Sequence, residues 1–263
     1  MPRVAALYRY PVKGFNPEVC NVLSILDHGR VAGDRVLGFR FADTEAPDDA
    51  WSRKVGMLAL INTPGLAKLK VRFEPGINRL TLYNNKETLI RALLDDDGRQ
   101  SVAKFVADYV LSLKENPLAG HPEKLPLRVV GDGVTPRYHD RETGEITLHS
   151  RESIAAVGDA AGDRELNELR FRSNIAIEGV DAWEEFDWVG HKLSIGAVEF
   201  DVVRPKPRCL ATHANPETGE RDLPMVATLV KLFGQTPPSF AVAMLPSKGS
   251  GDVHLGDEVR FIG

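Results

Sequence analysis

Two cysteines, Cys20 and Cys209, are all that 263 residues contain. So few thiols exclude a disulfide scaffold, a four-cysteine zinc site and an all-cysteine iron–sulfur cluster. No run approaches 18 consecutive apolar residues, so no membrane span is expected. A basic excess is also missing. Lysine and arginine number 33 against 37 acidic residues, a net charge of −4. That balance argues against a general nucleic-acid footprint and leaves room for a local basic pocket. No pair among the seven histidines has zinc-ligand spacing, and there is no Walker loop or dinucleotide glycine fingerprint. Internal repeats and low-complexity tracts are absent too. The start, Met1 to Tyr8, lacks the features of a signal peptide, so a cytoplasmic protein is the expectation.

What is present suffices for a folded core. Hydrophobic residues make up 43% of the chain, enough for one large domain or two small ones. The β-branched and alternating stretches predict strands at 3–10, 18–26, 36–41, 68–73 and 78–83, and later at 146–148, 173–178, 192–203, 239–245 and 258–262. Val102, Phe105, Val106, Tyr109, Val110 and Leu113 recur at helical spacing. They predict a helix over 101–113 with Ser101 as its N-cap. Ser150 is placed to cap a second helix from 151. Pro224 and Gly234 bracket a third at 224–233. Residues 42–50 read as a polar loop. Strands outnumber helices without regular alternation, which predicts an α+β, β-rich architecture over a doubly wound parallel sheet. Residues 114–126 hold three prolines and a glycine and form the candidate boundary. Domains at 1–115 and 122–263 follow from it.

The segment Arg204-Pro205-Lys206-Pro207-Arg208-Cys209 is the most informative. Two prolines remove two backbone donors, so the segment is expected to leave the sheet as a stiff loop. Three cations then precede the cysteine, a setting that lowers a thiol pKa and favours the nucleophilic, metal-ligating thiolate. The other reading is an inert, buried cysteine, and the residues alone leave both open. His213, four residues on, allows a cysteine–histidine pair as a further alternative. Cys20 lies in an apolar stretch and reads as a core residue. Lys13, Arg35 and Arg172 sit at strand ends. Each is a surface charge on its own, and together they would form a phosphate site.

These motifs, in order, resemble the MOSC family. Tyr10-Pro11-Val12-Lys13-Gly14 looks like the opening of its N-terminal β-barrel domain, and Gly33-Asp34-Arg35 like that domain's Asp-Arg element. Phe171-Arg172-Ser173-Asn174-Ile175, then Arg208-Cys209 with Thr212 and Asn215-Pro216-Glu217-Thr218-Gly219, resemble the later motifs, and Leu255-Gly256-Asp257 the last turn. The nearest group implied is the amidoxime-reducing components of mitochondria and their bacterial counterparts. The resemblance implies a MOSC-type β-barrel with short helices plus an N-terminal β-barrel-like domain. It implies a molybdenum–molybdopterin cofactor (Moco), independent of pyridoxal phosphate, with Cys209 as metal ligand and catalytic residue. Lys13, Gly14, Arg35, Arg172, Asn174 and Arg208 would bind the cofactor. The implied activity is reduction of N-hydroxylated or N-oxygenated small molecules by electrons from a separate donor protein, with no nucleic-acid or membrane partner. The alternatives are a non-catalytic cofactor carrier or sulfur-relay module, and a metal-free cysteine enzyme or anion-binding protein. Three positions depart from the family pattern. Gly14 and Pro207 stand where serines are usual, and Ser173 where proline is. Loop 42–56 is expected to shape the substrate pocket.

Overall fold

The computed structural model describes residues 1–51, 54–85 and 87–262. In chain order the strands are β1 (Arg3–Arg9), β2 (Glu18–Cys20), β3 (Val22–Leu26), β4 (Arg30–Val31), β5 (Gly38–Arg40), β6 (Lys70–Glu74), β7 (Arg79–Asn84) and β8 (Glu87–Leu93). After helix α1 (Asp96–Leu111) come β9 (Arg128–Val130), β10 (Ile146–Ser150), helix α2 (Arg151–Ala161), β11 (Ile175–Glu178) and the short helix α3 (Glu184–Asp187). Strands β12 (Lys192–Ile195) and β13 (Val198–Pro207), helix α4 (Met225–Phe233), and strands β14 (Ser239–Pro246), β15 (Gly251–His254) and β16 (Val259–Phe261) complete the chain. This is the α+β, β-rich architecture the sequence predicts. No helix among the described residues is long and apolar enough to cross a membrane.

An eight-stranded sheet dominates, in the order β16-β12-β13-β14-β10-β11-β1-β2. Its two outer strands, β16 and β2, are not paired with each other. An antiparallel bridge between Arg3 and Glu258 nevertheless ties the start of β1 to the entry of β16, with Val4 N donating to Asp257 O and Val259 N to Pro2 O, each at 2.9 Å. β1 and β2, from the first twenty residues, lie at one side of strands drawn from the second half. β1 pairs antiparallel with β11, through Leu7 against Ile175 and Arg3 against Glu178. A three-stranded meander, β6-β7-β8, and two smaller sheets stand beside it. Two large cores result. One gathers Val12, Phe15, Phe39, Leu58, Leu66, Val71, Leu82 and the buried face of α1. The other gathers Leu7, Leu148, Ile175, Leu193, Phe200 and Val242 around the main sheet.

Several elements differ from expectation for local reasons. Helix α1 starts five residues earlier than Ser101. Asp95 is its N-cap, accepting from Gly98 N at 2.9 Å, and Asp96 and Asp97 follow in the first turn, where carboxylates suit the helix dipole. Ser101 lies inside the helix and donates to Asp97 O. The stretch 18–26 is two strands, because β2 pairs with β1 while β3 pairs with β15 and β4. β8 went unpredicted. The stretch 192–203 divides into β12 and β13, which pair antiparallel.

The largest correction concerns the two prolines. β13 does not leave the sheet before them; it runs to Pro207, pairing Pro205 with Val242 and Pro207 with Ser239 on β14. The reason lies in the neighbouring strand. β12 pairs with β13 from Val198 to Asp201, and the backbone bonds on that side continue to Val202 through Gly190 and His191, so the prolines lie beyond them, with β14 beside β13. The missing proline N–H groups cost no ladder bond on the unpaired side, and the register shifts at Val202/Arg204 and Pro205/Pro207 absorb the misfit.

Candidate functional site

Six of the seven expected site residues meet. Lys13 and Gly14 follow β1, Arg35 follows β4, Arg172 precedes β11, and Arg208 and Cys209 follow β13; all line one cleft of about 910 Å³ including its open mouth. Asn174 is the exception. It is 1% exposed and not on the cleft wall. Its Nδ2 donates to Tyr8 O at 3.2 Å, and its backbone N–H donates to Thr147 O, so it ties the Arg172 turn to β1 and β10.

Two arginines share one platform. Tyr10 is completely buried at the end of β1. The Arg35 guanidinium lies 5.0 Å and that of Arg172 4.4 Å from its ring centroid. An aromatic face attracts both cations and fixes their planes. Each arginine has a left-handed backbone, with φ of 53° and 54°. Such a conformation costs a non-glycine residue about 1–3 kcal/mol and persists only where the surroundings impose it. Asp34, fully buried, holds the Arg35 side chain by an ion pair and accepts from Tyr10 N at 2.6 Å. Arg172 donates to Phe15 O at 2.7 Å. Gly14 has φ of 86°, and a Cβ there would meet Ala59 Cα at 3.2 Å. A serine in its place would be strained.

Arg208 is anchored through carbonyls: its guanidinium donates to Phe171 O at 2.9 Å and, from Nε, to Phe240 O at 2.7 Å. Neither Arg172 nor Arg208 has a carboxylate partner among the described residues. Burial lowers both guanidinium pKa values to about 10, against the opposing pull of Tyr10 on Arg172 and of Cys209 on Arg208. Burial also lowers the Lys13 ammonium; Asp140 opposes that shift, while Arg35 and Arg172 add to it. Buried cations whose own field is unfavourable are a prepared site for an anion.

The sequence pointed to only part of the wall. His139 and Asp140 come from a loop between β9 and β10. Lys13 donates to Tyr138 O at 2.8 Å and to Asp140 at 3.0 Å, and holds the Asp140 carboxyl far below the usual range. Lys206 donates to Glu145 at 2.6 Å, and Arg204 joins that carboxylate at 2.7 Å. Lys54, Arg141 and Arg170 complete a lining of eight cations against two carboxylates, a locally basic wall in a chain whose net charge is negative. Arg170 Nε and His139 Nε2 are buried without a hydrogen-bond partner.

Cys209 is a free, half-buried thiol at the N-terminus of the 3-10 turn Leu210–His213. Its carbonyl is held by Thr212, whose Oγ1 donates at 3.0 Å and whose N–H donates at 3.1 Å. His213 is occupied elsewhere. Its Nε2 accepts from Val226 N at 3.2 Å, at the start of α4, and it does not line the cleft. Cys20 lies on β2, half-buried against the sheet core, and burial pushes its thiol pKa up. No cluster of three metal-ligating histidine, cysteine or carboxylate side chains exists among the described residues.

One thiol at the edge of a cation-lined cleft is therefore the chemical content of the site. Residues 135–260 match the family model of the MOSC domain. The chain carries a MOSC domain. Its sequence is similar to mitochondrial amidoxime-reducing component 1 of Homo sapiens, 26% identical over 190 residues, covering 65% of this chain and 54% of that protein. Mitochondrial amidoxime reducing component 2 of Homo sapiens is 35% identical over 77 residues, 29% of this chain and 22% of that one. Molybdenum cofactor sulfurase of Homo sapiens is 43% identical over 54 residues, 20% of this chain and 6% of that one. The chain spans about half the length of the first of these relatives and less of the others. Among solved structures, the YUAD protein from Bacillus subtilis aligns over 98% of this chain and 94% of its own, at 11% identity and a TM-score of 0.45. The MOSC domain supplies Arg172, Arg208 and Cys209; Lys13, Gly14 and Arg35 come from residues before its matched span.

Proposed function

We propose that the cleft binds a molybdenum–molybdopterin cofactor, and that the protein reduces N-oxygenated small molecules with electrons from a separate donor protein. The observation that carries this reading is the donor set: a free thiol beside eight cations, among them Arg172 and Arg208, which have no carboxylate partner among the described residues. That chemistry fits a group with both a soft metal and a phosphate. The buried, unpartnered Arg170 Nε fits it too, since an orphaned donor on a cleft wall awaits an acceptor. Cys209 would ligate the metal as a thiolate. Lys13, Arg35 and Arg172 would hold the phosphate and pterin, with Arg208 fixing the turn that carries the thiol. Asn174 would act indirectly, by fixing the turn at Arg172. Such a cofactor, when bound, supplies two-electron oxygen-atom removal.

The chain's own residues then have defined work. Arg35 and Arg172, stacked on Tyr10, set the position of the anion. Arg208 and Thr212 hold the backbone on either side of Cys209. The Asp140–Lys13 pair places a carboxylate at the mouth, with Lys13 itself sealed beneath. Loop 42–56 lies over this wall: Trp51 Nε1 donates to His139 O at 3.0 Å, and Tyr138 Oη donates to Asp48 O at 2.8 Å. Ser52 and Arg53 of that loop lie outside the described residues. A second reading, a cofactor carrier or sulfur relay, draws on the similarity to molybdenum cofactor sulfurase and on the half-buried thiol at an open mouth.

Molybdenum content by elemental mass spectrometry separates these readings, on wild type and Cys209→Ser from a cofactor-competent host. Near-stoichiometric molybdenum in the wild type, lost or altered in the variant, is the expected outcome. It would be followed by amidoxime and hydroxylamine reduction with an artificial donor. Molybdenum that exchanges readily, without turnover, favours the carrier. No molybdenum in the wild type overturns the reductase and the cofactor carrier, and turns attention to Cys209 as a nucleophile or sulfur relay.

A further inference from the structure

His139 has no role in the reading above, yet it lies inside the same wall. The residue is 6% exposed, and its Nε2 is buried with no hydrogen-bond partner. Asp34 Oδ2 is 4.0 Å from that nitrogen, too far for a hydrogen bond. Asp34 is in any case committed to Arg35 and to Tyr10 N. Four cations act on the ring: Arg35, which follows β4, Arg30 on β4, Lys13 after β1, and Lys206 on β13. Asp140 is its chain neighbour, but Lys13 claims that carboxylate. An imidazole so placed is neutral for a plain reason. Burial removes its hydration, and every nearby cation repels a second positive charge, so its pKa falls well below 6.5.

Three of those four cations, Lys13, Arg35 and Lys206, also line the cleft. An anion bound there reverses the local field where the ring feels it. Resting on the anion-cleft reading above, we infer that His139 is a proton-coupled ligand of this site: when a dianion binds, the ring takes one proton from solvent, a second N–H bond forms, and the imidazolium joins the cations that hold the anion. No electron moves, and the net gain is one positive charge on the protein. Binding and protonation are then linked. Each raises the affinity for the other by the same factor.

The linkage is measurable without any cofactor. Sulfate is the probe, because it stays a dianion across the range in which histidine titrates. Sodium sulfate is titrated calorimetrically into the full chain at about pH 6, just below the ordinary histidine value, in two buffers of different ionisation enthalpy. The wild type is expected to take up about one proton per sulfate, read as a buffer-dependent heat. His139→Gln is expected to bind sulfate more weakly and with a buffer-independent heat. Side-chain nitrogen NMR of the wild type gives an independent readout: the His139 ring passes from the neutral to the cationic signature as sulfate is added. Sulfate binding with no proton uptake, or uptake that persists in His139→Gln, overturns the inference and leaves the anion cleft standing. Failure of the wild type to bind sulfate overturns both.

Discussion

At Tyr10 one aromatic ring supports two arginines, and this arrangement separates geometry from charge. Removing the ring leaves every cation of the cleft in the sequence. Tyr10→Leu should nevertheless weaken sulfate binding about 5- to 30-fold, the equivalent of about 1–2 kcal/mol for two lost cation–π contacts. Tyr10→Phe keeps the ring and should stay within about 3-fold, since only the 3.2 Å hydrogen bond to Ser173 O is lost. Calorimetric titration of both variants checks this; equal losses would show that the hydroxyl, not the face, positions the arginines. At this scale the sequence was informative where chemistry is written in one segment. Arg208-Cys209 and the strand-end cations Lys13, Arg35 and Arg172 were legible as residue types. His139 was not. It sits in an aperiodic stretch, and its place depends on Trp51 and Tyr138 contacts far away in sequence.

Among the elements, helix α1 and strand β13 show two ways in which local signals mislead. The run Asp95-Asp96-Asp97-Gly98 has the composition of a turn, and the apolar helical spacing begins only at Val102, just after Ser101. In the fold, Asp95 caps and Gly98 donates to it. Asp95→Ala should therefore destabilise the protein by about 1 kcal/mol, and Ser101→Ala by a few tenths at most. Denaturant midpoints of the two variants decide, and the reverse order would return the start of the helix to Ser101. β13 misled differently. A proline in a strand is costly only if its nitrogen faces a partner, and whether β12 reaches that far is a tertiary fact absent from the segment itself. Alternation, by contrast, was reliable in β6, where Lys70 and Arg72 are exposed and Val71 and Phe73 buried, as its sequence predicts.

For the molecule as a whole, a small polar cluster joins early and late parts of the chain. Glu168 accepts from Tyr8 on β1 at 2.6 Å, contacts His149 on β10 at 3.1 Å, and pairs with Arg151 on α2. Burial alone would raise its pKa, but these partners hold the carboxyl at about 2. A carboxylate with a depressed native pKa stabilises the fold fully above its unfolded value of 4.5 and loses that contribution as pH falls toward 2. Glu168→Gln should therefore lower stability at neutral pH and flatten the loss between about pH 4.5 and 2 relative to wild type. Thermal unfolding across that range tests it; parallel curves would mean that the cluster carries no pH-dependent stability.

The pairing of β1 with β11 has a consequence for synthesis. The ribosome releases Lys13 and Arg35 long before Arg172 and Cys209 exist. During that interval β1 has only β2 beside it, and the first cations have no thiol to surround. The proposed anion cleft is incomplete until the last third of the chain has emerged and β11 has closed on β1. The reverse dissection is equally uneven. A fragment cut at the boundary of the MOSC match would retain Cys209, Arg172 and Arg208. It would give up the Tyr10 platform and leave β11 as a raw, unpaired edge open to aggregation.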